Sequence, residues 1–149
     1  AVLKQPTEIP DMYESGTLNI PGIAGLLESV RLIRRDPMDV VLEQECRLRE
    51  RLFERIESIS SLHIIDRPWK YGKLAVLSVV PEKSSCETIG EMLAEEGICV
   101  RTGLHCAPIA HKTEGTFGTG TIRFSIGRNN TMQEIDAAAD ILHWIMNTF

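Results

Sequence analysis

The sequence predicts an α+β protein, a small sheet packed by helices into an α/β sandwich. Three observations carry this. Apolar residues recur at three- and four-residue steps in four stretches, as helices with one buried face require. Short apolar or alternating runs between turn residues read as strands. The resulting order, ααββαβ-loop-βα, lets helices cover one face of one sheet. A chain of 149 residues is long enough to bury one core.

Residues 1–21 have no periodicity and hold three prolines, which reads as an extended arm or a segment of something larger. From Pro21, Ile23, Leu26, Leu27, Val30 and Ile33 mark a first helix. Arg31, Arg34 and Arg35 complement the negative end of its dipole, and Asp36-Pro37 stops it. A second helix is expected over 38–60. Val41, Leu48, Leu52, Ile56 and Ile59 form its stripe, flanked by Leu42, Cys46 and Phe53. Glu43, Arg47, Glu50, Arg51 and Glu54 form its solvated side. A short strand follows at 62–66, then a turn with Pro68 and Gly72. The almost wholly apolar run 74–80 reads as a central strand. Ser84-x-x-Glu87 reads as a capping box for a helix carrying Ile89, Met92 and Leu93, with Gly97 at its C-cap. Strands are expected at 98–101 and 121–127, on either side of a long loop. Thr131-x-x-Glu134 opens the last helix, whose stripe is Met132, Ile135, Ala138, Ala139, Leu142, Ile145 and Met146.

Composition excludes several functions. The net charge of −5 argues against non-specific nucleic-acid binding. No apolar run approaches the roughly 18 residues a membrane span needs, and "AVLKQPTEIP" has none of the regions of a signal peptide. Four cysteines without a CxxC pair fit reduced thiols, so a cytoplasmic location is expected. His63 and His143 read as structural or surface residues, and Trp69, Trp144 and Phe149 as packing residues.

The chemistry gathers in "RTGLHCAPIAHKTEGTFGTGTIRFSIG", residues 101–127. Strand alternation puts Thr121, Arg123 and Ser125 opposite Ile122, Phe124 and Ile126, and puts Arg101 with Cys99. If the two strands are neighbours, Arg101 and Arg123 share a polar face, with Cys106 on the loop between them. Two guanidiniums beside a thiol suit an anionic, carboxylate-bearing ligand. The alternative is that each arginine pairs with a local acid. An imidazolium at His105 or a nearby guanidinium would favour the reactive form of Cys106; the alternative is an incidental exposed cysteine. Cys99, His105, Cys106 and His111 do not have the paired spacing of a zinc site, so no metal is expected. "GTFGTGT" is a weak phosphate-loop candidate, because it leads into a strand rather than a helix.

"RTGLHCAP", then "TIRFSIGRNNTMQEID", with "YESGTLNIPGIAGL" upstream, resembles the cysteine desulfurase and selenocysteine lyase family. These are class V aminotransferases that use pyridoxal phosphate. The resemblance spans essentially the whole chain, and an R-x-G-x-H-C motif on a short loop is similar to group-two desulfurases. It implies the small C-terminal domain of a fold-type-I enzyme, with 1–21 an arm left from the large cofactor-binding domain and 22–149 the small domain. It also implies that Cys106 takes sulfur from the substrate as a persulfide, leaving alanine. Arg123 is implied to clamp the substrate carboxylate, with Arg101 and His105 also at the substrate. Thr17 is implied to touch the cofactor phosphate of a neighbouring subunit. The implied partners are cysteine or selenocysteine, a sulfur-acceptor protein and a second copy in a homodimer. The family's Schiff-base lysine precedes these motifs and has no counterpart here. Lys112, in "AHK", lies after the nucleophile and reads as a loop lysine, so the chain alone is expected neither to bind pyridoxal phosphate nor to be active. Two other readings are a class V aminotransferase or lyase with another amino-acid substrate, and a freestanding thiol-bearing interaction module.

Overall fold

The computed structural model describes residues 4, 6–14, 16–65 and 74–149. The end of the first expected strand at Asp66, the turn at Pro68 and Gly72, and Trp69 lie outside them. The chain divides into two compact units, Ala1–Met38 and Asp39–Phe149.

The first unit holds a single turn of tighter helix at Asp11–Tyr13 and helix α1 (Ile20–Arg35). Asn19 caps α1 by accepting from the Gly22 N–H, and Pro21 occupies the first turn, where its missing donor costs nothing. The expected stripe is present, yet every residue on it is exposed, from Val30 at 43% to Leu26 at 65%.

Among the described residues, the second unit contains a four-stranded antiparallel sheet in the order β1-β2-β4-β3. Its strands are β1 (Leu62–Ile65), β2 (Val76–Pro81), β3 (Arg101–Gly103) and β4 (Thr121–Ser125). Alternation in β2 and β4 puts Leu77, Val79, Ile122 and Phe124 on one face, where they join the core. Helix α2 (Met38–Ile56) adds Leu48, Leu52 and Ile56 to it. Helix α3 (Cys86–Glu95) adds Cys86, Ile89 and Leu93, and α5 (Met132–Met146) adds Ile135, Ala139, Leu142 and Ile145. The α+β sandwich predicted from sequence is therefore present, with helices on one face of the sheet.

α2 and α5 are also joined by charge. Arg51 Nε and Arg55 Nη1 both donate to Asp136, at 2.8 and 3.0 Å, and Arg55 also pairs with Asp140. Hydrogen bonding to Arg51, with both arginines nearby, holds the Asp136 carboxyl below its ordinary range.

Several local readings shift. α3 is capped by Ser85, which accepts from the Thr88 N–H at 3.0 Å, so Ser84 and Glu87 do not form a capping box. The Thr131–Glu134 box forms with both of its hydrogen bonds. β3 starts at Arg101 rather than 98. Arg49 is 2% exposed: it follows Leu48 on the buried side of α2 and reaches the Val76 carbonyl at 3.4 Å. The expected loop contains a further helix, α4 (Pro108–Glu114), which Gly115 ends at φ 74°. No described helix is long and apolar enough to cross a membrane.

Candidate active site

β3 and β4 pair antiparallel with Arg101 directly opposite Arg123. Opposed residues share a face, here the one away from the helix-covered core. Ser78 of β2 stands opposite Arg123 on its other side. Arg123 is half-buried and donates from Nε to the Ser125 hydroxyl at 3.1 Å, which fixes the guanidinium along the strand. Arg101 is exposed, and its Nη2 lies 3.7 Å from Cys106 Sγ. Among the described residues, neither arginine has a carboxylate partner, so the alternative of local ion pairs does not hold there. Opposed like charges are destabilising, and an acidic chain that leaves them uncompensated presents a site for an anion.

Cys106 is exposed at the tip of a tight turn. The Ala107 N–H donates to the Leu104 carbonyl at 2.8 Å, and both central residues are left-handed, His105 at φ 51° and Cys106 at φ 61°. L-residues pay roughly 1–2 kcal/mol each for that conformation, so the surroundings must hold it. The base of the segment closes through two glycines. Gly103 and Gly120 have φ of 91° and 65°, and a Cβ on Gly120 would stand 2.7 Å from Gly103 Cα. Only a bare backbone lets the two ends come so close.

His105 Nε2 lies 2.9 Å from the hydroxyl of Thr121, which is 4% exposed. Burial, then the positive charges of Arg123, His111 and Arg101, push the His105 imidazole below its ordinary pKa. Arg101 is the cation that lies against the sulfur, while burial and these charges favour the neutral form of His105. Among the described residues, no three His, Cys, Asp or Glu side chains cluster as metal ligands.

Of the expected site residues, Arg101, His105, Cys106 and Arg123 come together in the second unit. Thr17 is exposed in the first unit, two residues ahead of the α1 cap. Cys99 is also exposed. It lines a separate cleft of about 410 Å³ with Ile98, Phe124, Ile126 and Ile141. Sequence reasoning put Thr121 on the Arg123 face and weighed His111 as a metal ligand, but missed their contacts with His105, the role of Thr116 and the Gly103–Gly120 contact. The spaced glycines were the available signal for the last.

The class V aminotransferase family model matches residues 3–138. The chain belongs to the class V aminotransferase family. It is 33% identical over 128 residues to a probable cysteine desulfurase of Xylella fastidiosa, covering 85% of this chain and 30% of that protein. It is 34% identical over 132 residues to a cysteine desulfurase of Synechococcus elongatus, covering 87% of this chain and 20% of that protein. Among solved structures, the apo cysteine desulfurase of Thermococcus onnurineus superimposes with a TM-score of 0.82 at 26% identity, over 96% of this chain and 35% of that one. This class V chain thus spans about a third or less of the length of these relatives.

Proposed function

We propose that this chain is the thiol-bearing part of a cysteine desulfurase. L-cysteine gives up its sulfur to Cys106, the C–S bond breaks, and alanine and a Cys106 persulfide result. Atoms and electrons balance without an external oxidant, because the thiol proton lost at Cys106 is matched by the hydrogen gained at the alanine methyl. Arg123, fixed by Ser125 on a strand whose other face is core, clamps the substrate carboxylate as a planar fork. Arg101 stands opposite Arg123 in register and reaches within 3.7 Å of the sulfur. The observation that carries this reading is the opposed Arg101–Arg123 pair beside Cys106, with no acid on either arginine among the described residues.

The described residues of this face do not fit the Schiff-base attachment of pyridoxal phosphate. They offer guanidinium, thiol, imidazole and hydroxyl groups but no amine, and the ammonium of Lys112 sits 5.0 Å over the Phe117 ring. In this reading the cofactor is held by a longer protein, of which residues 1–21 are the connecting arm and 22–149 the small domain. Thr17 then contacts the cofactor phosphate of a second subunit, and a sulfur-acceptor protein discharges Cys106 in the cytoplasm. The test is alanine release from L-cysteine by the full-length protein. Cys106→Ser is expected to abolish it, and Arg123→Lys to raise KM at least about tenfold by losing one of two hydrogen bonds. Undiminished alanine from Cys106→Ser would overturn the reading.

A further inference from the structure

The left-handed turn that presents Cys106 needs a brace, and its hydrogen bonds alone do not supply one. His105 meets Thr121 through Nε2, but its Nδ1 is buried without a partner among the described residues. An unpaired buried nitrogen disfavours the pose, whichever tautomer is present. Packing must therefore keep the ring in place. The ring it packs against is His111, with centroids 5.6 Å apart and planes at 49°, well within the contact range of two flat rings. His111 is itself fixed. It is 7% exposed, its Nδ1 lies 2.7 Å from the Thr116 hydroxyl, and its carbonyl accepts from the Thr116 N–H at 2.9 Å. Thr116 is 6% exposed, and its carbonyl accepts from the Gly120 N–H at 2.8 Å, at the foot of β4. A continuous train thus runs from the β4 backbone through Thr116, His111 and His105 to the turn.

We propose that His111 is a positioning residue for the Cys106 thiol: its ring, locked by Thr116, wedges His105 against Thr121 and so holds the turn that keeps the sulfur beside Arg101. This rests on Cys106 being the nucleophile and the two arginines being a carboxylate clamp. Among the charged groups, Arg123 from β4 and Arg101 from β3 act on the His105 ring. In this proposal His111 acts through His105, the ring it packs against.

The test uses the 149-residue chain and two alkylating probes, iodoacetate and iodoacetamide. In each, sulfur displaces iodide; only iodoacetate carries a carboxylate. Cys99, exposed in its own cleft, is the internal reference, and Cys86, 2% exposed, reports loss of fold. The parent is expected to favour iodoacetate at Cys106 over Cys99 by at least about threefold, as a two-arginine site should. His111→Ala is expected to reduce that preference to the Cys99 level while Cys86 stays unlabelled. His111→Phe, which keeps a ring against His105, is expected to retain at least half of it. If His111→Ala keeps the full preference, or loses it only as Cys86 becomes labelled, the positioning role is overturned. If the parent shows no preference, the carboxylate clamp beneath the proposal fails instead.

Discussion

Ile122 and Arg123 are neighbours in β4 with opposite duties. Ile122 is fully buried against the helices; Arg123 lies on the face away from them, opposite another arginine. One face of the sheet is closed by three helices and holds almost the whole core. The other holds a thiol, two guanidiniums and the hydroxyls of Ser78 and Ser125. Cys86 and Cys106 repeat the contrast: burial pushes the Cys86 thiol up to about 11, while Cys106 is exposed beside Arg101. Alternation along a strand separates stability from chemistry at single-residue resolution.

The largest effect should come from the closed face. Ile122→Ala is expected to cost about 3 kcal/mol through lost burial and a cavity, read as a lower denaturation midpoint. The base of the active segment comes next. Gly120→Ala must adopt φ near 65° and press on the Gly103 backbone, so a loss of about 2 kcal/mol is expected. Arg123→Gln should be the smallest, within about 0.5 kcal/mol of the parent and on the stabilising side, because it removes a like charge opposite Arg101. If Arg123→Gln costs as much as Ile122→Ala, the two faces are not separate in function.

Acid offers a finer probe of the open face. The folded-state pKa of His105 lies below its ordinary 6.5, so the unfolded chain binds its proton first as pH falls. Stability from this group is complete above about 6.5 and is lost as pH falls from there toward the lower folded value. His105→Asn should flatten that part of the stability–pH curve, followed by urea midpoints. An unchanged slope would mean that the ring is not held neutral in the fold.

The sheet and the site faces were legible in the sequence because alternation and helical periods report burial directly. Arg101 and Arg123 were placed on one face from parity alone, and the register sets them opposite each other. The α4 helix was not legible: it is seven residues long, and its one large aliphatic residue, Ile109, is 79% exposed, so it has no stripe. The His105–His111 contact was equally hidden, because it depends on α4 folding back onto the turn. Arg49 was missed because a charged residue on a buried stripe looks like its solvated neighbours until its backbone partner is known. The exposed stripe of α1 was read correctly as helical, but periodicity does not name the surface that covers it.

The central claim is that the open face delivers substrate sulfur to Cys106. The direct measurement is to give the full-length protein L-cysteine under anaerobic conditions, block thiols and persulfides with an alkylating agent, and map the added sulfur by peptide mass spectrometry. The account predicts the extra sulfur on the peptide bearing Cys106, and a loss of that signal in Arg123→Gln despite an intact fold. Sulfur found instead on Cys99, or undiminished on Cys106 in Arg123→Gln, would contradict it.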